Sequence, residues 1–204
     1  MSKIIIVGAG ENGRVVANIL RLNPKNKIVG FLDDKPDLHK KCLGKIRDAA
    51  KYLKKDYSFF VSVCDNDSRR KIFTELKIKG ASFINAVHPT AVIEKSAVLG
   101  KNIMIGAGSY ININSRLGDG VIINNGCIVE HDNQIGSFVH LAPGVVTGGG
   151  VKIGSNTFVG LATVINDHLK LGADSVIGSG AVVINDLPDK IVAIGCPARV
   201  IKKR

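Results

Sequence analysis

The chain contains no tryptophan, and its phenylalanines and tyrosines amount to 5% of 204 residues. It therefore has little from which to build the aromatic stacking platforms that hold single-stranded nucleic acids. A long apolar run is also missing. MSKIIIVGAG reads directly into a strand, so neither a signal peptide nor a membrane span is expected. Four cysteines, at 42, 64, 127 and 196, fall in no CxxC or other metal-ligand spacing. A reduced, cytoplasmic protein without a thiolate metal site is the expectation. Acidic residues are few, 17 against 28 Lys and Arg for a net charge of +11. The excess sits in residues 1–85, with 18 basic and 9 acidic side chains. Those lysines are scattered along helical segments with no nucleic-acid motif beside them. They read as a solvated basic surface that attracts small phosphorylated ligands, and nucleic acid is not an expected partner.

What the second half has is a beat of six. Stepping from Ile93 to Val183 gives Ile93, Leu99, Ile105, Ile111, Leu117, Ile123, Val129, Ile135, Leu141, Thr147, Ile153, Val159, Ile165, Leu171, Ile177 and Val183, in which only Thr147 breaks the apolar phase. A unit this short cannot bury its own side chain, so copies must stack on one shared core. Three faces per turn give a triangular coil of about 18 residues, with coils about 4.8 Å apart. The residue after each apolar position is usually Gly or Asn, the types that enter left-handed conformations most readily, and these are read as the corners. Periodicity alone does not fix the hand of the helix.

Residues 1–85 have another rhythm. Lys3–Val7 is an apolar strand, followed by Gly8-Ala9-Gly10-Glu11-Asn12-Gly13 and a helix bearing Val15, Val16, Ile19 and Leu20. Strands are expected at 28–32, 58–63 and about 82–86, with helical segments near 46–55 and 67–79. This is a βαβαβ unit of the Rossmann kind, whose glycine turn can present backbone N–H groups to a phosphate. The same glycines would also suit tight packing alone. Asp33 follows Gly13 by 20 residues, as a ribose-binding acid would in an NAD site. A dinucleotide domain is built from two such halves, however, and this chain has one before the repeat begins. A mononucleotide-sized site is expected, with residues 1–85 and 86–204 as separate domains.

Several segments together resemble the hexapeptide-repeat sugar acyltransferases, of the bacillosamine-pathway sugar-nucleotide N-acetyltransferase and sialic acid O-acetyltransferase type. They are Gly8–Val16, Phe31–Asp34, Cys64–Arg69, His88–Ala91, Val129–Asp132 through His140, and Gly195–Arg199. The resemblance implies a left-handed parallel β-helix, a homotrimer with sites between subunits, acetyl-CoA as co-substrate and no metal. It also implies that the α/β domain binds the carrier of a nucleotide-linked amino sugar, through Gly10, Glu11, Asn12, Gly13, Asp33, Asp34, Cys64 and Asn66. Relatives commonly carry a His in the turn where this chain has Glu11-Asn12, so the carrier stays open among UDP, dTDP and GDP.

An imidazole with a pKa near 6.5 can take the proton that an attacking amine must lose. The resemblance gives that part to His131 and makes Asp132 the acid that orients it. Gly149 lies 18 residues on, one coil above at the same azimuth, and the resemblance implies that its N–H donates to the thioester oxygen. Asn124 is implied to help hold the substrate amine. His140, Leu161, Ser179 and the tail Pro197, Ala198 and Arg199 are implied to line the acetyl-CoA channel. His140 is nine residues from His131, one and a half faces, so the two can meet only across an interface between chains. His39, His88 and His168 have no comparable setting. A zinc site would need three converging imidazoles. Cys127 falls on the core side, as a small apolar group. The expected activity is acetyl transfer to the amine of a nucleotide-linked sugar. Sugar or sialic acid O-acetylation and a non-catalytic scaffold are the alternatives.

Overall fold

The structure is a computed structural model that describes residues 1–35, 41–53 and 56–204. It divides into two compact units, Met1–Val87 and His88–Arg204.

In the first unit β1 (Ser2–Val7), β2 (Asn26–Leu32), β3 (Cys42–Gly44), β4 (Tyr57–Val61) and β5 (Ser82–Phe83) form one sheet in the order β3-β2-β1-β4-β5, with every pair parallel. Ile4, Ile5, Ile6 and Val7 of the central strand are wholly buried. Such a continuous apolar run is what a strand covered on both faces requires. Helix α1 (Glu11–Arg21) buries Gly13, Val16, Ala17, Ile19 and Leu20. Val15, which the sequence pattern grouped with the core, is 43% exposed. At 100° per residue the buried arc runs from Ile19 through Val16 and Leu20 to Ala17, and Val15 falls outside it. Helix α2 spans Asn66–Ile78, and the segment near 46–55 is a 3-10 helix over Ile46–Tyr52. Residues 54 and 55, the end of that expected helix, and His39 lie outside the described residues. The strand Cys42–Gly44 was not legible in the periodicity, being only three residues long.

The second unit is a left-handed parallel β-helix of two-residue strands. One face stacks Val92–Ile93, Tyr110–Ile111, Ile128–Val129, Val146–Thr147, Val164–Ile165 and Val182–Val183. A second stacks Val98–Leu99, Arg116–Leu117, Gln134–Ile135, Lys152–Ile153 and Lys170–Leu171. The third includes Met104–Ile105, Ile122–Ile123, His140–Leu141, Phe158–Val159 and Val176–Ile177, and the tail strands Ile191–Ile194 and Arg199–Lys203 continue it. Register steps by 18 residues from Val92 to Val183, as in Tyr110 opposite Ile128 and Ile122 opposite His140, and by 16 where the tail joins, with Val176 opposite Val192. From Ile105 onward, the apolar phase of the sequence is the buried column. Each such side chain contributes roughly 1.5–3 kcal/mol by leaving water. Outward positions differ by face. The first carries Val92, Tyr110, Ile128, Val146, Val164 and Val182, with Val92, Ile128 and Val164 37–53% exposed, whereas the second carries exposed Val98 and then Arg116, Gln134, Lys152 and Lys170.

The glycines that follow the apolar phase do not serve as expected. Left-handed backbone falls two residues later, at Gly108, Asn114, Gly120, Gly126, Asp132, Phe138 and onward, with φ near +60°. At Gly118, Gly136 and Gly148 the constraint is instead close approach. A Cβ there would meet the backbone nitrogen of the next coil at 2.5–2.6 Å.

Candidate active site

His131 and Asp132 form the turn after the strand Ile128–Val129, and Asp132 sits at φ +60°, a conformation that Asp tolerates better than most side chains. Its Oδ2 lies 2.8 Å from His131 Nδ1, and Asn114 Nδ2 donates to its Oδ1 at 3.1 Å from the preceding coil. The imidazole first and Asn114 second hold the Asp132 carboxyl below the usual carboxylate range. An ionised carboxylate only accepts, so Nδ1 donates to it, and in the neutral imidazole the lone pair is on Nε2. The His131 side chain is 49% exposed and open to a ligand.

The imidazole packs against Gly149 on the next coil. A Cβ at Gly149 would stand 2.5 Å from His131 Cε1 and 2.6 Å from Nε2, so only glycine leaves room for the ring. The Gly149 carbonyl accepts from His168 N–H at 2.8 Å, while its own N–H has no acceptor among the described residues. A base with a free lone pair therefore lies against an uncommitted backbone donor. Acyl transfer needs both, one for the proton lost by the nucleophile and one for the negative charge gathering on the thioester oxygen.

His168, set aside on sequence, belongs beside this turn. Its ring rests against Gly150, with Nδ1 2.5 Å from where a Cβ would stand. The glycine coil 148–150 thus has an imidazole against it from the coil on either side. The signal was available: 132, 150 and 168 are one register column at steps of 18.

The remaining candidates of this unit gather at another corner. Asn124 follows the third face, and its N–H donates to Leu141 O, beside His140. His140 is buried, in a T-shaped contact with Phe158. Exposed Leu161 and Ser179 follow that face one coil apart, and Gly180 N–H donates to Leu161 O. The tail joins them, with Val182 N–H donating to Gly195 O and Ala198 N–H to Val182 O. Pro197 and Arg199 are exposed there. Within one chain the apolar first face lies between this corner and the His131 turn. Cys127 is fully buried, its thiol donates to Ala142 O at 3.2 Å, and burial pushes it up to about 11.

In the α/β unit the glycine turn meets the end of β4 at the switch point between β1 and β4, where ligands of such sheets bind. Gly8, at φ +103°, and Gly13 are set by packing. An added Cβ would meet Ser62 at Gly8, and the Gly8 carbonyl at Gly13. Gly10 has open space where a Cβ would stand, and α1 begins without a side-chain cap, so this turn can admit an anion. Glu11 is exposed at the same helix start. Asn12 Nδ2 is buried with no partner among the described residues. Asp33 Oδ2 accepts from Ala9 N–H at 2.6 Å and its Oδ1 from Lys35 N–H, so this carboxylate braces the turn. Asp34 Oδ1 accepts from Ile46 N–H at 3.1 Å. Asn66 is buried, accepting from Arg69, whose guanidinium donates to Val63 O and Cys64 O, and burial lowers Arg69 to about 10. In this loop Cys64 and Asp65 are exposed.

An α/β unit with an open glycine turn, joined to a left-handed β-helix bearing a carboxylate-bound imidazole over an unpaired N–H, defines a hexapeptide-repeat acyltransferase. Comparison with known proteins gives the family. Residues 3–76 match the PglD N-terminal domain. UDP-N-acetylbacillosamine N-acetyltransferase of Bacillus subtilis is 33% identical over 117 residues, a stretch that spans 52% of this chain and 52% of that protein. PerB of Caulobacter crescentus, solved with CoA and GDP-perosamine, is 33% identical and superimposes with a TM-score of 0.94 over 99% of this chain and 98% of its own. The acetyltransferase domain of PglB from Neisseria gonorrhoeae, solved with acetyl coenzyme A, is 28% identical with a TM-score of 0.94 over 98% of each chain. The chain belongs to the bacillosamine-pathway type of sugar-nucleotide N-acetyltransferases.

Proposed function

We propose that this protein transfers an acetyl group from acetyl-CoA to the amino group of a nucleotide-linked amino sugar, with His131 as general base. The observation that carries this reading is the Asp132–His131–Gly149 arrangement, with Nδ1 bound by a carboxylate at 2.8 Å and the ring against a glycine whose N–H is unpaired. The sugar amine attacks the thioester carbon while Nε2 takes its proton. The carbonyl oxygen gains charge, and Gly149 N–H donates to it. As the tetrahedral intermediate collapses, the C–S bond breaks and the imidazolium returns the proton to the departing thiolate. Asp132 stabilises that imidazolium. Likeness to PerB with its bound GDP-perosamine and to PglB with acetyl coenzyme A supports this choice of both substrates.

The protein works as a homotrimer in the cytoplasm, and residues 1–85 hold the nucleotide. Two features favour a trimer with shared sites. The exposed valines and isoleucine of the first β-helix face form an apolar stripe that a second copy would cover. His140, Leu161, Ser179 and the Pro197–Arg199 tail lie at a corner away from His131, so a neighbouring chain must bring acetyl-CoA to the base. Mixed assemblies test this. Inactive His131→Ala and His140→Ala chains, dissociated and reassembled together, should regain part of the wild-type activity, because some interfaces then pair two intact histidines. Verified mixed trimers without recovered activity, or a monomer in sedimentation, would reject the shared site.

The carrier site has its own test. Asp33→Ala removes the acceptor for Ala9 N–H and should raise the KM for the sugar nucleotide, with acetyl-CoA affinity unchanged. Asp34→Ala should do the same more weakly, since its carboxylate braces Ile46 rather than the glycine turn. An unchanged sugar-nucleotide KM in both variants would remove this turn from substrate binding.

A further inference from the structure

Two of the polar side chains buried inside the β-helix bear on the turn that carries His131. Thr147 is the one residue that breaks the apolar phase from Ile93 to Val183. Asn133 is the one amide in the second inward column, whose neighbours in adjacent coils are Ser115 and Val151. Both are fully buried.

The hydrogen-bond ladder is disturbed at the same place. In coil after coil, the N–H that follows the apolar position donates to the carbonyl of the apolar residue one coil on. Asn112 donates to Val129 O, Asn124 to Leu141 O, Gly136 to Ile153 O and Gly148 to Ile165 O, at 2.7–3.0 Å. Glu130, immediately before His131, departs from this. Its N–H donates to the Thr147 hydroxyl at 3.2 Å in place of the Thr147 carbonyl. The hydroxyl in turn approaches Ile128 O at 3.4 Å. Asn133 closes the turn from its other end, with Nδ2 donating to Glu130 O at 2.6 Å, to Gly148 O at 2.9 Å and more weakly to His131 O. That amide ties the His131 turn to the glycine coil against which the imidazole rests.

We propose that Thr147 and Asn133 are positioning residues for His131: their buried polar groups hold the Glu130–Asp132 turn off the regular ladder and so set the imidazole against Gly149. Burying a hydroxyl and an amide inside the helix is unfavourable without hydrogen bonds, and those that the Thr147 hydroxyl and the Asn133 NH2 make are to this turn and the glycine coil. Valine, isoleucine or leucine fills every other position of this phase from Ile93 to Val183, so the fold itself does not call for a hydroxyl. The inference rests on the reading of His131 as base, and the test separates the two.

Thr147→Val keeps the shape, removes the hydroxyl and lets Glu130 N–H return to the ladder. It should leave the melting temperature equal to wild type or higher and the acetyl-CoA KM unchanged, while kcat falls roughly 10- to 100-fold, as expected for a misplaced catalytic group. Thr147→Ser, which restores the hydroxyl, should recover most of that loss. In the ring-nitrogen NMR spectrum, with His131 assigned from its disappearance in His131→Ala, Thr147→Val should shift the His131 resonances and leave His88 unmoved. An unmoved His131 signal overturns the proposal whatever the kinetics. Wild-type kcat in Thr147→Val, or equal losses in the Val and Ser variants, overturns it too. If His131→Ala itself turns over at the wild-type rate, the base assignment fails, and the spectrum still decides whether Thr147 places the ring.

Discussion

Replacing His131 by alanine should lower kcat roughly 10²- to 10⁴-fold, the range usual for loss of a positioned general base. Acetyl-CoA affinity should change little, because the imidazole acts mainly on the proton of the attacking amine. Steady-state kinetics at saturating sugar nucleotide, with calorimetric titration of acetyl-CoA, measure both quantities. Asp132→Asn should cost less. The amide can still hold the ring through its oxygen, and Asn tolerates the left-handed backbone at this position. What it loses is the negative charge that stabilises the imidazolium. Because the carboxyl of Asp132 lies below the usual range, held there first by the imidazole and then by Asn114, it stays ionised at neutral pH, and the charge lost in Asp132→Asn is one the wild type carries. A larger loss in Asp132→Asn than in His131→Ala would mean that the roles are reversed.

The second large effect is expected from one methyl group. Gly149→Ala places a carbon 2.5–2.6 Å from Cε1 and Nε2 of His131, well inside contact distance, so the ring must move. Gly149 does not use a left-handed backbone conformation, so alanine is otherwise acceptable there and the N–H donor is retained. Displacement of a catalytic group by about 1 Å can cost about 100-fold, and kcat should fall by at least that much with the fold intact. Gly126→Ala is the informative control. Its Cβ would meet nothing, and its φ of +67° makes it the more strained substitution for the backbone. It should lower the melting temperature while leaving kcat near wild type. If Gly149→Ala retained full activity, the ring would not need its place against residue 149.

Architecture was legible because the β-helix repeats one physical solution. An inward side chain every six residues and a register of 18 follow from the pleat and the three-sided coil, so Gly149 could be placed beside His131 from arithmetic alone. The reason for the glycines was not. Those after the apolar phase give room to the stacked backbone, and the left-handed positions fall two residues later on Asn, Asp and even Phe138. A sequence marks a glycine without saying whether a conformation or a neighbour demands it. Similarly, Thr147 stood out as a misfit in the pattern, but its purpose depends on a hydrogen bond to Glu130 across the coil, which no spacing rule specifies. His168 stands 37 residues from His131 along the chain, and only the register column 132, 150, 168 brings its ring to the same glycine coil. In the α/β unit the glycine turn was evident. That Asp33 braces this turn through Ala9, and that Asn66 is spent on buried Arg69, depends on tertiary contacts the sequence does not encode locally.

Acetyl transfer to an amine is tested most directly by mass spectrometry of reactions containing the protein, acetyl-CoA and a panel of nucleotide-linked 4-amino sugars and sialic acids, with hydroxylamine treatment of each product. An amide resists hydroxylamine whereas an ester is cleaved by it. The account predicts a product one acetyl group heavier, formed only from a nucleotide-linked amino sugar, stable to hydroxylamine, and absent when His131→Ala replaces the wild type. A hydroxylamine-labile acetyl on a sugar hydroxyl, or no transfer to any member of the panel while acetyl-CoA still binds, would contradict it.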